Sequence, residues 1–295
     1  MPSTAPPNLM GNDWKEALQG YNDGMADFAS VDPLRLLTAC QIQLFDIDFA
    51  VSEVRRLANR AARAACRSPP FPPSSGCPTC MIPVTIRCGR CCSETGITIL
   101  NHLDVKASLW DVFRRDPTPQ KGIFTAMPAV ALAEPLAFWI LTGTLERFPK
   151  LKVVLVEPAW AGCRSSSRWC SMRACTSTTS SQNVKLLPSE YFKRQMGATF
   201  MYEPSGLAAA YKVLSVPDCL YWSTDFPHPA TCWPNSRRVG RRAVRKAAYP
   251  AHDRKKIAER QRAAAVRPAG LGPPWPWRVS RGFGYSICPG ESQAR

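Results

Sequence analysis

Three short apolar runs constrain this chain most: "ITIL" from Ile97, "LKVVLVE" from Leu151 and "CLYWSTD" from Cys219. Each is rich in β-branched or aromatic residues. None shows the polar alternation of a strand wetted on one face, so each predicts a strand buried on both. Such strands belong to parallel sheets, and the intervening segments supply the crossovers. "VSEVRRLANRAA" places Val51, Val54 and Leu57 at helical spacing, with Asp48 and Ser52 as candidate N-terminal caps. Residues 128–148 read as a second helical stretch between two strands, which completes a βαβ pattern. No repeat of fixed period interrupts it. A chain of 295 residues fits one large α/β domain, since single barrels of about 250 residues are common.

The first eleven residues lack a charged start followed by an apolar run, so no secretory signal is expected. The most membrane-like segment is "AMPAVALAEPLAFWILTG" from Ala126. Pro128, Glu134 and Pro135 interrupt it and it barely reaches spanning length, so it reads as a buried helix. The expectation is a soluble, cytoplasmic protein without a membrane partner.

The formal charge of +16 and the 13 cysteines are distributed unevenly. Segments 62–92, 160–181, 238–249 and 261–295 hold all of the net charge and ten of the cysteines, leaving the other 195 residues formally neutral. "RSPPFPPSSGCPTC" and "CRSSSRWCSMRACTSTTSS" match neither a helix nor a strand template. These segments read as shifted reading frames. Taking the last base of each codon with the first two of the next, Cys66 to Arg90 permits a less basic, cysteine-poor reading that contains H-D-P-R-Y-D-P-L-W.

The segments between them resemble the amidohydrolase-related family that includes aminocarboxymuconate-semialdehyde decarboxylase-like enzymes. The resemblance rests on "YNDGMADFASVDPLRLL" from Tyr21, "ETGITILNHLD" from Glu94, "LERFPKLKVVLVEP" from Leu145 and "YWSTDFPHPATCWPNS" from Tyr221. It covers most of 20–237, and the S-x-D-x-P-H run after an apolar strand is its most specific element. It implies a (β/α)8 TIM barrel over 1–270, anomalous at 62–92, 160–181 and 238–249, with an irregular tail at 271–295. The family's first strand carries an H-x-H metal pair. No H-x-H occurs among the three histidines here, so the barrel is expected to be incomplete, with its first strand missing.

His102 directly follows "ITIL", which sets it at a strand's C-terminal end, where barrel enzymes carry their chemistry. A neutral imidazole there can bind zinc, with Asn101 or Asp104 as candidate orienting groups. The resemblance makes His102 and Asp225 ligands of one divalent metal, expected to be zinc. A metal-bound water acidified toward neutrality would then exchange protons with Asp225. His228 would orient Asp225 or touch substrate, and Glu157, ending "LKVVLVE", would act as an acid, base or positioning group. His252, in "AHDRKKIAER", reads as a surface helix residue.

The resemblance therefore implies a metal-dependent hydrolase or non-oxidative decarboxylase acting on a small carboxylated or aromatic substrate. Self-association is left open. With only His102 and Asp225 as metal ligands, activity of this chain is itself in question, and a non-catalytic remnant is one alternative. Another is a cysteine-based zinc module built on Cys77, Cys80, Cys88, Cys91 and Cys92. A third is a basic nucleic-acid-binding segment from Arg237, although no aromatic stacking platform accompanies it and nucleic acid is not the expected partner.

Overall fold

Six strands pair side by side in chain order, every pair parallel: β1 (Ala39–Gln41), β2 (Ala65–Ser68), β3 (Ile99–His102), β4 (Val153–Val156), β5 (Met196–Phe200) and β6 (Leu220–Trp222). The structure is a computed structural model. It describes residues 11–33, 36–44, 46–60, 65–68, 78–102, 113–121, 123, 132–158, 184–214, 217–228 and 231–257. Asp104, Cys77, the segment 160–181 and the tail 271–295 lie outside them. A doubly wound sheet reverses its strand order to put helices on both faces; this one never reverses. Right-handed crossovers then fall on a single face, and the other face must curl inward to be buried. That is the wall of a β/α barrel, and the pairing of β1 with β6 that would close it is absent among the described residues.

All three predicted strands are present. Val153, Val154 and Leu155 of β4 are all buried, as a run without polar alternation requires. The predicted first helix is α2 (Ile47–Arg60), following α1 (Trp14–Ser30), and it buries Ala50, Glu53, Val54 and Leu57. Its cap differs from expectation. Asp46, not Asp48 or Ser52, accepts the Phe49 N–H, at 3.0 Å, because only Asp46 precedes the first turn. Of the membrane-like segment, α4 (Ala133–Leu141) buries Leu136, Trp139 and Ile140 in the core. Among the described residues no helix is long and apolar enough to cross a membrane.

Two segments expected to be aperiodic are helical. The first is α3 (Pro78–Thr95), on which Cys88, Cys91 and Cys92 face the hydrophobic core. Burial pushes the Cys91 thiol up, so these cysteines serve as small apolar residues, not as zinc thiolates. Further along lie α5 (Thr144–Arg147), α6 (Pro188–Gln195), α7 (Pro204–Leu214) and then α8 (Ser236–Lys246). In α8 the buried positions Ser236, Gly240, Ala243 and Val244 recur at helical spacing. Arg237, Arg238, Arg241, Arg242, Arg245 and Lys246 take the exposed face. Reading arginine density as disorder missed that the small residues between the arginines form a narrow apolar stripe. His252 lies exposed in α9 (Ala251–Lys255), as expected.

The stripe docks on β6 through Gly240. A Cβ built there would sit 2.3 Å from Trp222 Nε1 and 2.9 Å from two further indole atoms. The indole is rigid, so the helix must withdraw to admit a methyl group. We predict that Gly240→Ala destabilises the fold by about 1–3 kcal/mol, as overpacking generally does. Urea unfolding would check it; an unchanged midpoint would mean that α8 does not pack on Trp222.

At the other edge of the sheet, Asn22 of α1 seals β1. Its amide Nδ2 donates to Gln41 O at 2.9 Å and its Oδ1 accepts the Gln41 N–H at 2.6 Å, supplying the pairing an edge strand lacks. The same Nδ2 donates to Glu53 at 2.8 Å, and Arg56 donates twice to that carboxylate, both at 2.7 Å. Arg56 also pairs with Asp23 at 2.6 Å, and Arg60 binds Asp23 and Asp27 at 2.9 Å, so polar contacts join α1 to α2 along their length.

Candidate active site

The C-terminal ends of β3, β4 and β6 bring the four predicted residues into one row. His102 is the last residue of β3, and in register it faces Val156, one residue before Glu157. His102 Nε2 lies 3.2 Å from Glu157 Oε1. The Glu157 and Asp225 carboxyl groups hydrogen-bond to each other, although β5 separates their strands. Curvature of the sheet closes that gap. Asp225 Oδ2 lies 3.2 Å from His228 Nδ1 and completes the row His102–Glu157–Asp225–His228. The first three side chains are one-fifth to one-quarter exposed, while His228 is largely in solvent.

The backbone is bent sharply at both carboxylates. Glu157 has φ +61° and Asp225 φ +53°, a left-handed conformation that costs a non-glycine residue of order 1–3 kcal/mol. At Glu157 the bend is fixed by its N–H, which donates to Thr199 Oγ1 on β5 at 2.9 Å. At Asp225 the loop holds itself: the His228 N–H donates to Asp225 O at 2.8 Å, and Thr231 Oγ1 donates to Thr224 O at 2.6 Å. The peptide bond Phe226–Pro227 within this loop is cis. Each bend turns a side chain off the strand's end toward its neighbour.

Two carboxyl groups within hydrogen-bonding distance cannot both ionise freely, and they divide the task. Burial, then the hydrogen bond and charge of Glu157, push Asp225 up to about 6. Burial acts on Glu157 in the same direction. The hydrogen bond and charge of His102, with the hydrogen bond to Asp225, outweigh it and hold Glu157 below the usual carboxylate range. Near neutral pH the pair can therefore hold one proton, on Asp225. A carboxylic acid at a strand end can donate that proton to a bound substrate and recover it through His228 or water.

His102 is thus oriented by Glu157. Asn101, the expected orienting group, instead accepts a hydrogen bond from Trp139 Nε1 at 2.6 Å, because strand alternation turns it into the core. Thr199 was missed by sequence reasoning. A lone threonine in "MGATF" carries no local signal, and only the β4–β5 register brings it to Glu157.

The donors do not make a metal centre. Among the described residues no three His, Cys, Asp or Glu side chains are grouped so as to hold an ion. His102 and Asp225 are both turned to Glu157. Catalytic zinc takes three protein ligands as a rule, so the expected pair is one short.

No family model matches the sequence, and no curated protein matches it. Solved structures match the fold. The 5-carboxyvanillate decarboxylase from Sphingomonas paucimobilis superimposes with a TM-score of 0.65 at 22% identity, over 90% of this chain and 77% of that one. A protein from Staphylococcus aureus with an amidohydrolase assignment gives 0.66 at 15% identity, over 87% and 80%. A dihydroxybenzoic acid decarboxylase from Polaromonas sp. JS666, with bound manganese and 2-nitroresorcinol, gives 0.57 at 19% identity, over 83% and 73%. The fold is the α/β barrel of the amidohydrolase type, with six parallel strands among the described residues.

Proposed function

We propose that this chain is a non-oxidative decarboxylase of small hydroxylated aromatic acids. The observation that carries the reading is the hydrogen-bonded Glu157–Asp225 pair at the C-terminal end of the sheet. Decarboxylation of an aromatic acid needs a proton delivered to the ring carbon that bears the carboxylate. Asp225, kept protonated by Glu157, gives up that proton; the ring–carboxylate bond breaks, its electron pair returns to the ring, and carbon dioxide leaves. His228 then returns a proton to Asp225 from solvent. His102 holds Glu157 ionised, so that the shared proton stays on Asp225.

Hydrolysis is the second reading, and it needs an activated water more than an acid. In the amidohydrolase resemblance that water belongs to a divalent metal, zinc by expectation, while manganese is bound in the Polaromonas structure. Here such an ion would find His102 and Asp225 only, and the proton-donating role of Asp225 fits decarboxylation better. Beside the site the exposed rings of Phe226 and Trp233 pack 5.1 Å apart, an apolar surface suited to an aromatic ligand. The cysteines among the described residues are free thiols, which favours a reducing compartment, the cytoplasm.

The test is to incubate the purified chain with 2,6-dihydroxybenzoate and related hydroxybenzoates in D2O, without added oxidant. We expect carbon dioxide release and one deuterium at the ring carbon that lost it, read by NMR. Absence of turnover across the panel would overturn the decarboxylase reading, and release of a hydrolysis product from an amide or ester analogue would favour the second.

A further inference from the structure

One cavity opens beside the Asp225 loop, with a volume of about 10 Å³. Trp222, Ser223 and Thr224, the residues that lead into Asp225, form one wall; Cys232, Ser236 and Val239 form another. Ser236 begins the eleven-residue helix α8, whose N-terminus carries partial positive charge from unpaired backbone N–H groups. The Ser236 side chain is 6% exposed, and among the described residues its Oγ is the only buried side-chain polar atom without a hydrogen-bond partner. Buried hydroxyls are nearly always satisfied, so an orphan lining a cavity marks a place where a missing oxygen belongs. The space admits one oxygen atom and no larger group.

We propose that this cavity is a specificity subsite for a phenolic oxygen carried next to the reacting ring carbon. The inference rests on the decarboxylase reading above. Ser236 Oγ donates to that oxygen, and the α8 N-terminus favours the charge it bears as a phenolate. The indole of Trp222 and the side chain of Val239 form apolar walls for the ring edge. A methoxy group in the same position is too large.

The test compares binding of 2-hydroxybenzoate, benzoate and 2-methoxybenzoate to the full chain and to Ser236→Ala by calorimetry. The full chain should bind 2-hydroxybenzoate about tenfold more tightly than the other two, the effect of one charge-assisted hydrogen bond. Ser236→Ala should bring 2-hydroxybenzoate down to the level of benzoate and leave benzoate unchanged. Removing an unsatisfied hydroxyl should also leave the melting temperature equal or higher, which separates lost recognition from lost folding. As a second readout, 2-hydroxybenzoate should slow alkylation of Cys232, followed by mass spectrometry of its peptide. A preference that survives in Ser236→Ala, or no preference in the full chain together with unprotected Cys232, overturns the subsite alone. Failure of all three acids to bind overturns the decarboxylase reading and the subsite with it.

Discussion

Asp225→Asn should lower the decarboxylation rate by about 10²- to 10⁴-fold, the usual worth of a positioned general acid, and should raise the melting temperature at the same time. The first effect follows from removing the donor. The second follows from the sign of its shift. The carboxyl group is pushed up to about 6 in the folded chain, from an ordinary value of 3.8, so above that range the fold holds a carboxylate it disfavours. Stability attributable to Asp225 therefore falls as pH rises from about 4 to 6, and an uncharged amide removes the penalty. Allowing for partial exposure, the gain at pH 7 is on the order of 1 kcal/mol. Asparagine also accepts the left-handed backbone found here more readily than most residues. In the unaltered chain the rate should decline as pH rises past about 6, where the Asp225 proton is lost. A variant that is both inactive and destabilised would point to a purely structural role; a variant with full activity would remove Asp225 from the chemistry. Both are read from a pH–rate profile and a thermal melt.

The strand ends were legible because their signal is local. A β-branched run followed at once by a polar residue places that residue at the rim, and so His102, Glu157 and Asp225 were found. What joins them was not local. Nothing in "LVEP" says that Glu157 lies between His102 and Asp225, since that depends on how far the sheet curls between β4 and β6. The helix α8 was hidden for a different reason: composition outweighed periodicity, and the arginines drew attention from Gly240, Ala243 and Val244 between them. Cysteine spacing misled similarly, because three core-facing positions of α3 imitate the pairs of a zinc site.

Glu53 shows the same limit on the stability side. In "VSEVRRL" it reads as a solvated helix residue, yet it is fully buried, and its partners Asn22 and Gln19 come from another helix. Glu53→Ala should destabilise the chain by about 3–5 kcal/mol, because Arg56 and Asn22 would lose the carboxylate that satisfies them. Burial pushes the Glu53 carboxyl up, but hydrogen bonds from Arg56, Asn22 and Gln19 together hold it below the usual range. The stability it contributes is therefore complete above about pH 4.3, the value expected in the unfolded chain, and is lost as pH falls through the lower folded value. Urea unfolding at neutral pH and again near pH 3 would show it: the gap between the unaltered chain and Glu53→Ala should narrow in acid. A gap that stays constant would mean that packing, not the charged network, sets the loss.

The unbroken strand order carries a consequence for how the molecule is assembled. Each strand pairs with the one synthesised just before it, so no strand waits for a distant partner to emerge from the ribosome. The sheet can lengthen one unit at a time from β1, whose free edge Asn22 has already occupied. The catalytic row has a different timing. Asp225 arrives last, after β6, and until it does the bent Glu157 has His102 alone; the barrel scaffold is built early, and its chemistry is the final piece set in place.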